Sequence, residues 1–134
     1  MTTADLRIGV LGAARITPSA LIRPSRQVPG TVVAAVAARD RDRAESFATK
    51  HGIEKVHSSY DELIADPSIE AIYNPLPNAL HAEWTLKALA AGKHVLCEKP
   101  FTSNEVEARV VGAADEPIAR GSGNFKTLVT CDED

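Results

Sequence analysis

Cysteine is scarce in this chain, and its two cysteines do not form an obvious pair. Cys97 and Cys131 lie far apart in the sequence, and neither belongs to a CxxC motif. Closely spaced cysteines are the usual mark of a disulfide framework or a zinc site, so neither is indicated. We therefore expect reduced thiols, with Cys97 as a core residue and not as a reactive one.

An excess of charge of either sign is also missing. The 134 residues include 18 Asp and Glu against 15 Lys and Arg, which gives a net charge of −3. Nucleic-acid-binding domains usually carry a basic patch, and this balance shows no such footprint. With 44% hydrophobic and 25% charged residues, the composition fits neither a disordered chain nor a fibrous repeat. The length allows one compact domain and little else.

Long hydrophobic runs are absent as well. The longest early run, 8–14, follows Asp5 and Arg7 and is broken at Arg15. It is too short for a signal peptide or a membrane span. We therefore expect a soluble, cytoplasmic protein with no membrane partner.

The sequence does contain an alternation of short apolar runs with longer amphipathic ones. The apolar runs predict buried strands at 8–11, 31–37, 71–73 and 94–97. Capping and stop signals predict helices over 41–50, 59–66 and 81–91, and a helix broken by proline across 17–28. This alternation predicts an α/β fold with a doubly wound parallel sheet.

The character of the chain changes near its end. We expect a further helix from 102 or 103 towards 114, after which chain-breaking residues concentrate before the apolar stretch 125–131. These signals predict one folded domain over 1–114 and an irregular tail over 115–134 with at most one edge strand.

The first predicted strand runs directly into Gly12, at the head of the segment GAARIT. This segment overlays the dinucleotide fingerprint G-x-G-x-x-G, with only the first glycine kept. Gly12 permits the tight turn, Ala14 still allows close backbone approach, and Thr17 offers a hydroxyl and a helix cap. The pattern fits a turn that presents helix amides to a pyrophosphate, and equally an ordinary strand-to-helix turn.

The second predicted strand leads through Ala38 into Arg39 and Asp40. In a dinucleotide fold this strand tip meets the adenosine ribose. An acidic residue there accepts the 2′-hydroxyl of NAD, whereas Arg39 suits the 2′-phosphate of NADP or stacks on adenine. We therefore favour NADP, although Asp40 leaves NAD open. The alternative is a solvated Arg39 that pairs with Asp40 or Asp42.

Two further segments follow predicted strands at the same sheet edge, where ligands bind in open α/β folds. The segment 73–81, YNPLPNALH, has two prolines that stiffen its backbone, and the segment 97–100, CEKP, places an ion pair and a proline after a buried strand. Taken alone, His81 is expected to be a helix-start histidine and Lys99 a surface charge.

Four segments, in this order and spacing, carry a more specific signal: RIGVLGAARI, VAARD, YNPLPNALHAEW and AGKHVLCEKPF. Together they closely resemble the nucleotide-binding half of the Gfo/Idh/MocA oxidoreductase family, and its sugar- and dihydrodiol-dehydrogenase branch in particular. The resemblance covers roughly 6–110, and E-K-P is its most distinctive part. It implies a Rossmann-like NAD(P)-binding domain.

The resemblance also implies roles for the matching positions. The implied cofactor-binding residues are Gly12, Ala14, Arg15 and Ile16 at the pyrophosphate, Ala38 and Arg39 at the adenosine 2′ end, Pro75, Asn78 and His81 along the nicotinamide ribose, and Glu98 and Lys99 beside the nicotinamide. Lys99 is the implied catalytic residue, which orients the cofactor and handles a proton. The bond to Pro100 is typically cis in this family, which aims the lysine into the cleft.

The resemblance stops before the chain does. Family members continue into a second α+β domain that supplies most substrate contacts, whereas 112–134 match no family motif and lack its histidine- or tyrosine-containing catalytic segment. We therefore expect the family's substrate domain to be absent, as in a truncated gene product, a shifted reading frame or a cloned fragment. The apolar surface that this domain normally covers would favour homo-oligomers.

Three functions remain open on these grounds. The first is an NADP-dependent sugar, polyol or dihydrodiol dehydrogenase, of which this chain is the cofactor half that transfers hydride between nicotinamide and a carbinol carbon. The second is a stand-alone dinucleotide-binding module without turnover. The third is a remnant that binds no ligand.

Overall fold

The structure, a computed structural model, describes residues 5–98 and 127–129 of the chain. Its described strands are β1 (Leu6–Leu11), β2 (Thr31–Ala37), β3 (Lys55–His57), β4 (Ala71–Asn74), β5 (His94–Cys97) and β6 (Thr127–Val129). They form one sheet in the order β3-β2-β1-β4-β5-β6. The first five strands are parallel, and β6 runs antiparallel to β5. The predicted doubly wound parallel sheet is therefore confirmed.

The helices are α1 (Arg23–Arg26), α2 (Arg41–His51), α3 (Tyr60–Ile64) and α4 (His81–Ala90), with a π-helical turn over Pro18–Ile22 and a 3-10 turn over Asn78–Leu80. The predicted break in the first helix takes the form of a change in winding, from the π-helical turn to α1. Pro24 near the start of α1 has no N–H to donate, so the preceding turn is not held by an ordinary helical bond there. The helix expected from 102 towards 114 lies outside the described residues.

Two caps fix the starts of α2 and α3. The side chain of Asp40 accepts a hydrogen bond from the Asp42 N–H at 2.9 Å, and Ser59 accepts one from the Glu62 N–H at 3.0 Å. Both caps satisfy amides that the first helical turn leaves without partners. At the other end of α2, Gly52 adopts φ +68, the left-handed conformation that ends many helices.

The core lies on both faces of the sheet. Consecutive strand residues point to opposite faces, so Leu11 and Ile72 pack into one cluster while Val10 and Tyr73 pack into the other. The first cluster also contains Leu63 of α3, and all five of these side chains are fully buried. Because β1 to β5 are parallel, their carboxyl ends lie at one edge of the sheet, and the loops that follow them meet there.

β3 is the strand that the sequence analysis missed. It consists of Lys55, Val56 and His57, each of them half-buried, and it pairs with β2 at the edge of the sheet. Two of its three residues are polar, so the segment lacks the continuous apolar run by which the other parallel strands were predicted.

Candidate functional site

Gly12 forms the turn that leaves β1. Its backbone has φ +83, and its N–H donates to the Ala37 carbonyl at the end of β2 at 2.5 Å. A Cβ atom at this position would lie 3.2 Å from Cδ2 of Leu76 and 3.7 Å from the Tyr60 hydroxyl. A side chain here would therefore be strained in its backbone and crowded by the loop after β4. The turn keeps the space above the sheet edge open.

A cleft of about 740 Å³ opens over this turn. It is bounded by the ends of β1, β2 and β4 and by the start of α3. Its lining residues are Leu11, Gly12, Ala13, Ala14, Ala38, Arg39, Asp40, Arg43, Tyr60, Pro75, Leu76 and Pro77. The structure thus brings the glycine turn, the tip of β2 and the proline loop to one place, as the sequence predicted.

The predicted pyrophosphate-binding residues divide into two groups. Gly12 and Ala14 line the cleft, whereas Arg15 and Ile16 are exposed beyond its lining. Thr17 does not provide the expected cap. Its backbone is already helical, and its buried hydroxyl has no hydrogen-bond partner among the described residues, because the chain enters the π-helical turn without an extended capping residue.

Two guanidinium groups line the cleft near the end of β2. Arg39 is exposed there, and Arg43 follows in the first turns of α2, where its Nη2 donates to the Ala13 carbonyl at 3.3 Å. The alternative pairing of Arg39 with Asp40 or Asp42 does not occur among the described ion pairs. The Asp40 carboxylate instead caps α2. This corner of the cleft therefore has two cations against one carboxylate, and one oxygen of that carboxylate, Oδ1 of Asp40, caps α2.

A second cavity of about 530 Å³ adjoins the first and shares Ala38, Arg39 and Tyr60 with it. Its far wall is Trp84, whose ring meets the Tyr60 ring edge to face with centroids 5.0 Å apart. Lys87 lies over the Trp84 ring at 4.2 Å from its centroid. An aromatic surface next to a guanidinium suits a flat, electron-rich ring.

Tyr60 stands between the two cavities, and its phenol is held close to the arginines. Burial raises the pKa of Tyr60 above its usual value, against the opposing charges of Arg39 and Arg43 and the backbone of Arg39. The group is therefore a neutral hydroxyl at physiological pH, able both to donate and to accept a hydrogen bond.

The proline loop after β4 is held from below by Asn74. This side chain is fully buried; its Nδ2 donates to the His81 carbonyl at 3.3 Å and to Thr85 Oγ1 at 3.2 Å, and its Oδ1 accepts from the Leu76 N–H at 3.3 Å. His81 is also buried, and its Nε2 donates to the Leu76 carbonyl. The ring of His81 therefore supports the loop, and it lies outside the lining of the 740 Å³ cleft.

Glu98 follows β5 at the same sheet edge. Its N–H donates to the Asn74 carbonyl at 3.0 Å, and its Oε2 accepts from the Tyr73 hydroxyl at 2.9 Å. Burial and the Glu98 carboxylate raise the pKa of Tyr73 far above its usual value, so Tyr73 remains a donor. Burial likewise raises the pKa of the Cys97 thiol to about 12, as befits the core residue that the sequence predicted.

One predicted site residue and the side chain of another lie outside what the structure describes, and two residues that line the cleft were not predicted. Lys99 lies outside the described residues, which stop at Glu98 in this part of the chain. For Asn78 the structure describes only the backbone, which belongs to the 3-10 turn. The sequence analysis missed Arg43 and Tyr60. Arg43 lies in the first turn of the helix that was predicted over 41–50, close to the strand end that carries Arg39, and this position could have indicated it. Tyr60 follows the strand β3 that was itself missed.

A family model described as "Oxidoreductase family, NAD-binding Rossmann fold" matches residues 6–117. The chain belongs to the Gfo/Idh/MocA oxidoreductase family. A D-xylose 1-dehydrogenase (NADP(+)) of Haloferax volcanii is 43% identical over 106 residues, which are 79% of this chain and 32% of the relative. A trans-1,2-dihydrobenzene-1,2-diol dehydrogenase of Sus scrofa is 47% identical over 93 residues, which are 69% of this chain and 27% of the relative.

Solved structures of this family share the same fold. A 3-ketoreductase from Actinomadura kijaniata, determined in complex with NADP, superimposes with a TM-score of 0.75 at 40% identity, over 82% of this chain and 35% of that one. The chain thus spans about a third of the length of the family members it matches. Among the residues described here, no helix is both long and apolar enough to cross a membrane.

Proposed function

We propose that this chain binds NADP(H), with the 2′-phosphate of the cofactor against Arg39 and Arg43. The observation that carries the proposal is the pair of guanidinium groups that line the cleft, Arg39 just after β2 and Arg43 in α2. A 2′-phosphate needs cationic donors, and the cleft offers two of them against the single carboxylate of Asp40. The NADP in the Actinomadura structure and in the name of the Haloferax relative supports the same cofactor.

The remainder of the cofactor fits the cleft in one direction. The pyrophosphate belongs over Gly12 and Ala14, where the absence of larger side chains lets the backbone approach, with Arg15 and Ile16 at its outer side. Adenine belongs between Arg39 and the aromatic surface of Tyr60 and Trp84. The nicotinamide ribose then reaches Pro75 and Asn78, while His81 acts from below by holding the Leu76 carbonyl.

The nicotinamide end lies near Glu98 and Lys99. The Tyr73 hydroxyl fixes the Glu98 carboxylate, which can therefore orient a neighbouring group without rearranging. We assign to Lys99 the positioning of the cofactor and the handling of the proton that leaves or joins the substrate hydroxyl. When bound, the cofactor supplies the hydride chemistry, and the substrate class that the relatives suggest is a sugar, polyol or dihydrodiol with a carbinol carbon.

Cofactor titration tests this proposal. NADPH is expected to bind more tightly than NADH, and Arg39→Gln should weaken NADPH binding by roughly 10- to 100-fold, since a hydrogen bond to a charged group contributes about 1.5–3 kcal/mol. The change should weaken NADH binding less, because NADH loses only the adenine contact with Arg39, whereas NADPH also loses the contact with its 2′-phosphate. The matched control is Arg23→Gln, an exposed arginine on α1 outside the cleft lining. Equal affinity for NADH and NADPH in the wild-type chain would overturn the assignment of Arg39.

A second candidate is a dinucleotide-binding module without turnover. It is favoured by the family match, which is to the NAD-binding region only. Both functions require the same cleft, so cofactor binding does not separate them. A substrate-dependent change in NADPH absorbance does, because only the dehydrogenase produces one. Three further proposals hold for either function. The chain divides into a folded domain over 1–114 and a tail over 115–134, it is located in the cytoplasm, and it associates into homo-oligomers.

A further inference from the structure

A chain of buried polar side chains lies beneath the two loops that follow β4 and β5. It consists of Asn74 at the end of β4, Thr85 in α4 and Cys97 at the end of β5, and all three residues are fully buried. They do not line the 740 Å³ cleft. Polar groups at such depth are costly unless they are hydrogen-bonded, so the partners of these three side chains indicate what they hold in place.

Asn74 contacts both loops. Its Oδ1 accepts from the Leu76 N–H at 3.3 Å, and its Nδ2 donates to the His81 carbonyl at 3.3 Å and to Thr85 Oγ1 at 3.2 Å. Its backbone carbonyl accepts from the Glu98 N–H at 3.0 Å. Asn74 thus holds the proline loop through its side chain and the loop after β5 through its backbone, and both N–H groups of its amide are used.

Thr85 adds a second connection between the loops. Its oxygen accepts from Asn74, so its own proton is available to another acceptor. Burial raises the pKa of the Cys97 thiol, and a hydrogen bond with the Thr85 hydroxyl opposes that rise. The thiol in turn donates to the Glu98 carbonyl, which lies 3.5 Å from its sulfur. A continuous series of hydrogen bonds therefore runs from the Leu76 N–H to the Glu98 carbonyl.

The two ends of this series lie at the cleft and beside it. The proline loop lines the cleft with Pro75, Leu76 and Pro77, and Leu76 is the residue nearest to a Cβ atom built on Gly12. The Glu98 carboxylate accepts from the Tyr73 hydroxyl at 2.9 Å, so its side chain is held as well as its backbone. A change in the hydrogen bonds beneath the loops therefore changes the spacing of the two surfaces above them.

We propose that Thr85 is a positioning residue for the nicotinamide half of the cofactor: its hydroxyl fixes the Asn74 amide and the Cys97 thiol, and through them it sets the spacing of the loops after β4 and β5. Without this hydroxyl, one N–H of Asn74 loses its acceptor, and the amide can turn away from Leu76. The adenosine half meets the ends of β1 and β2 and does not depend on Thr85. The inference rests on the proposed function in naming the dinucleotide as the ligand.

The first test needs no cofactor. Thr85→Val keeps nearly the same side-chain shape and removes the hydroxyl, whereas Thr85→Ser keeps the hydroxyl. Amide hydrogen exchange followed by NMR reports the Leu76 and Glu98 N–H groups individually. We expect both to exchange about 3- to 10-fold faster in Thr85→Val and close to the wild-type rate in Thr85→Ser. Unchanged exchange of these two amides in Thr85→Val would overturn the proposal.

Thr31→Val is the matched control for the loss of a threonine hydroxyl. Thr31 begins β2, its hydroxyl lies 3.0 Å from the carbonyl oxygens of Ser25 and Val28, and it is outside the cleft lining. This variant should leave the exchange of the Leu76 and Glu98 amides at the wild-type rate. If it accelerated them as much as Thr85→Val does, the effect would be a general loss of stability, and the proposal would be wrong.

The second test compares NADPH with adenosine 2′,5′-bisphosphate, which carries the adenine and the 2′-phosphate but lacks the nicotinamide half. Thr85→Val should weaken NADPH binding about 3- to 10-fold and change bisphosphate binding by less than about 2-fold, because only the nicotinamide half depends on the spacing of the loops. Thr85→Ser should bind both ligands like the wild-type chain. An equal change in the two affinities in Thr85→Val would overturn the proposal.

Cys97→Ala interrupts the same series of hydrogen bonds one step later and leaves Thr85 in place. It should weaken NADPH binding more than bisphosphate binding, as Thr85→Val does. If Thr85→Val does not fold, an unchanged preference for NADPH in Cys97→Ala would overturn the proposal. If the wild-type chain binds neither ligand, the proposed function fails, whereas the exchange rates of the Leu76 and Glu98 amides still decide whether Thr85 connects the two loops.

Discussion

Gly12 is a residue at which the fold and the cofactor site require the same backbone conformation. We predict that Gly12→Ala lowers the free energy of unfolding by about 1–2 kcal/mol, the cost of the left-handed conformation for a residue with a side chain. It should also weaken NADPH binding, because the added Cβ stands 3.2 Å from Leu76 within the cleft. Urea unfolding and cofactor titration measure the two effects.

Gly92→Ala is the matched control for this prediction. Gly92 has nearly the same conformation, φ +79, but a Cβ there would meet nothing within 4 Å, and the residue lies away from the cleft. The control should lose similar stability and keep the wild-type affinity. If Gly12→Ala bound NADPH as tightly as Gly92→Ala, the glycine turn would not be part of the binding surface.

At the residue scale, what could be predicted from sequence was the set of residues next to strong apolar strands. Gly12 immediately follows such a run, and Arg39 and Pro75 each lie one residue past another, so strand prediction alone placed them at the sheet edge. Tyr60 reaches the same cleft from α3, across the sheet, and no local pattern reports that approach. The support of the loop by the His81 ring was equally hidden, because a buried and an exposed helix-start histidine have the same sequence context.

At the scale of elements, the turn between α3 and β4 is held by one buried carboxylate. Asp66 Oδ1 accepts from the Ser68 N–H at 2.8 Å and from the Ser68 hydroxyl at 2.7 Å, while Oδ2 faces His57 and Lys55. These bonds hold the pKa of Asp66 well below its usual range. The carboxylate therefore stabilises the folded chain above the unfolded-state pKa of about 3.9, and this contribution is lost as the pH falls below that value.

Asp66→Asn should accordingly cost about 1–3 kcal/mol of stability at pH 7. The difference from the wild-type chain should narrow progressively below about pH 4, where the unfolded wild-type chain takes up the proton. Urea unfolding at pH 7, 5 and 3 measures this. Asp61→Asn serves as the control, since its side chain is 72% exposed and its ion pair with Lys87 is 3.9 Å long. A stability difference that stays constant across this range would contradict the account of the turn.

The strands that could be predicted are those in which the buried residues form a continuous apolar run in the sequence. β2 reads TVVAAVA, and its last five residues are buried, so its period and its burial agree. β3 has no such run, because an edge strand of three residues buries little and is specified by pairing with Val36 and its neighbours in β2.

At the scale of the whole molecule, the sheet order brings the described residues of the proposed cofactor site to one edge. β1 lies between β2 and β4, so the turn at Gly12 is flanked by the loop that carries Arg39 and the loop that carries Pro75. This crevice, where strand connections diverge to opposite sides of β1, is the usual ligand position in open α/β folds. The contacts that we propose for the adenosine and pyrophosphate part of the cofactor therefore all come from described residues.

Catalytic turnover requires a bound substrate in addition to the cofactor-binding residues. Hydride transfer needs a substrate carbon held against the nicotinamide, and well-oriented proximity can lower a barrier by about 7–11 kcal/mol. Proton handling by Lys99 would contribute about 10²–10⁴-fold by comparison. The 134 residues match their family over its NAD-binding region, so we predict that they bind NADPH and, by themselves, show little or no dehydrogenase activity.

Steady-state assays of the 134-residue chain with NADP and a panel of aldoses, polyols and dihydrodiols measure this, with Lys99→Ala as the control for any residual rate. A background reaction should be the same in both proteins, because it does not use the lysine. Rapid reduction of NADP that disappears in Lys99→Ala would mean that these residues already hold the substrate. The oriented complex would then form on the sheet edge between Gly12 and Glu98, without a separate substrate-binding surface.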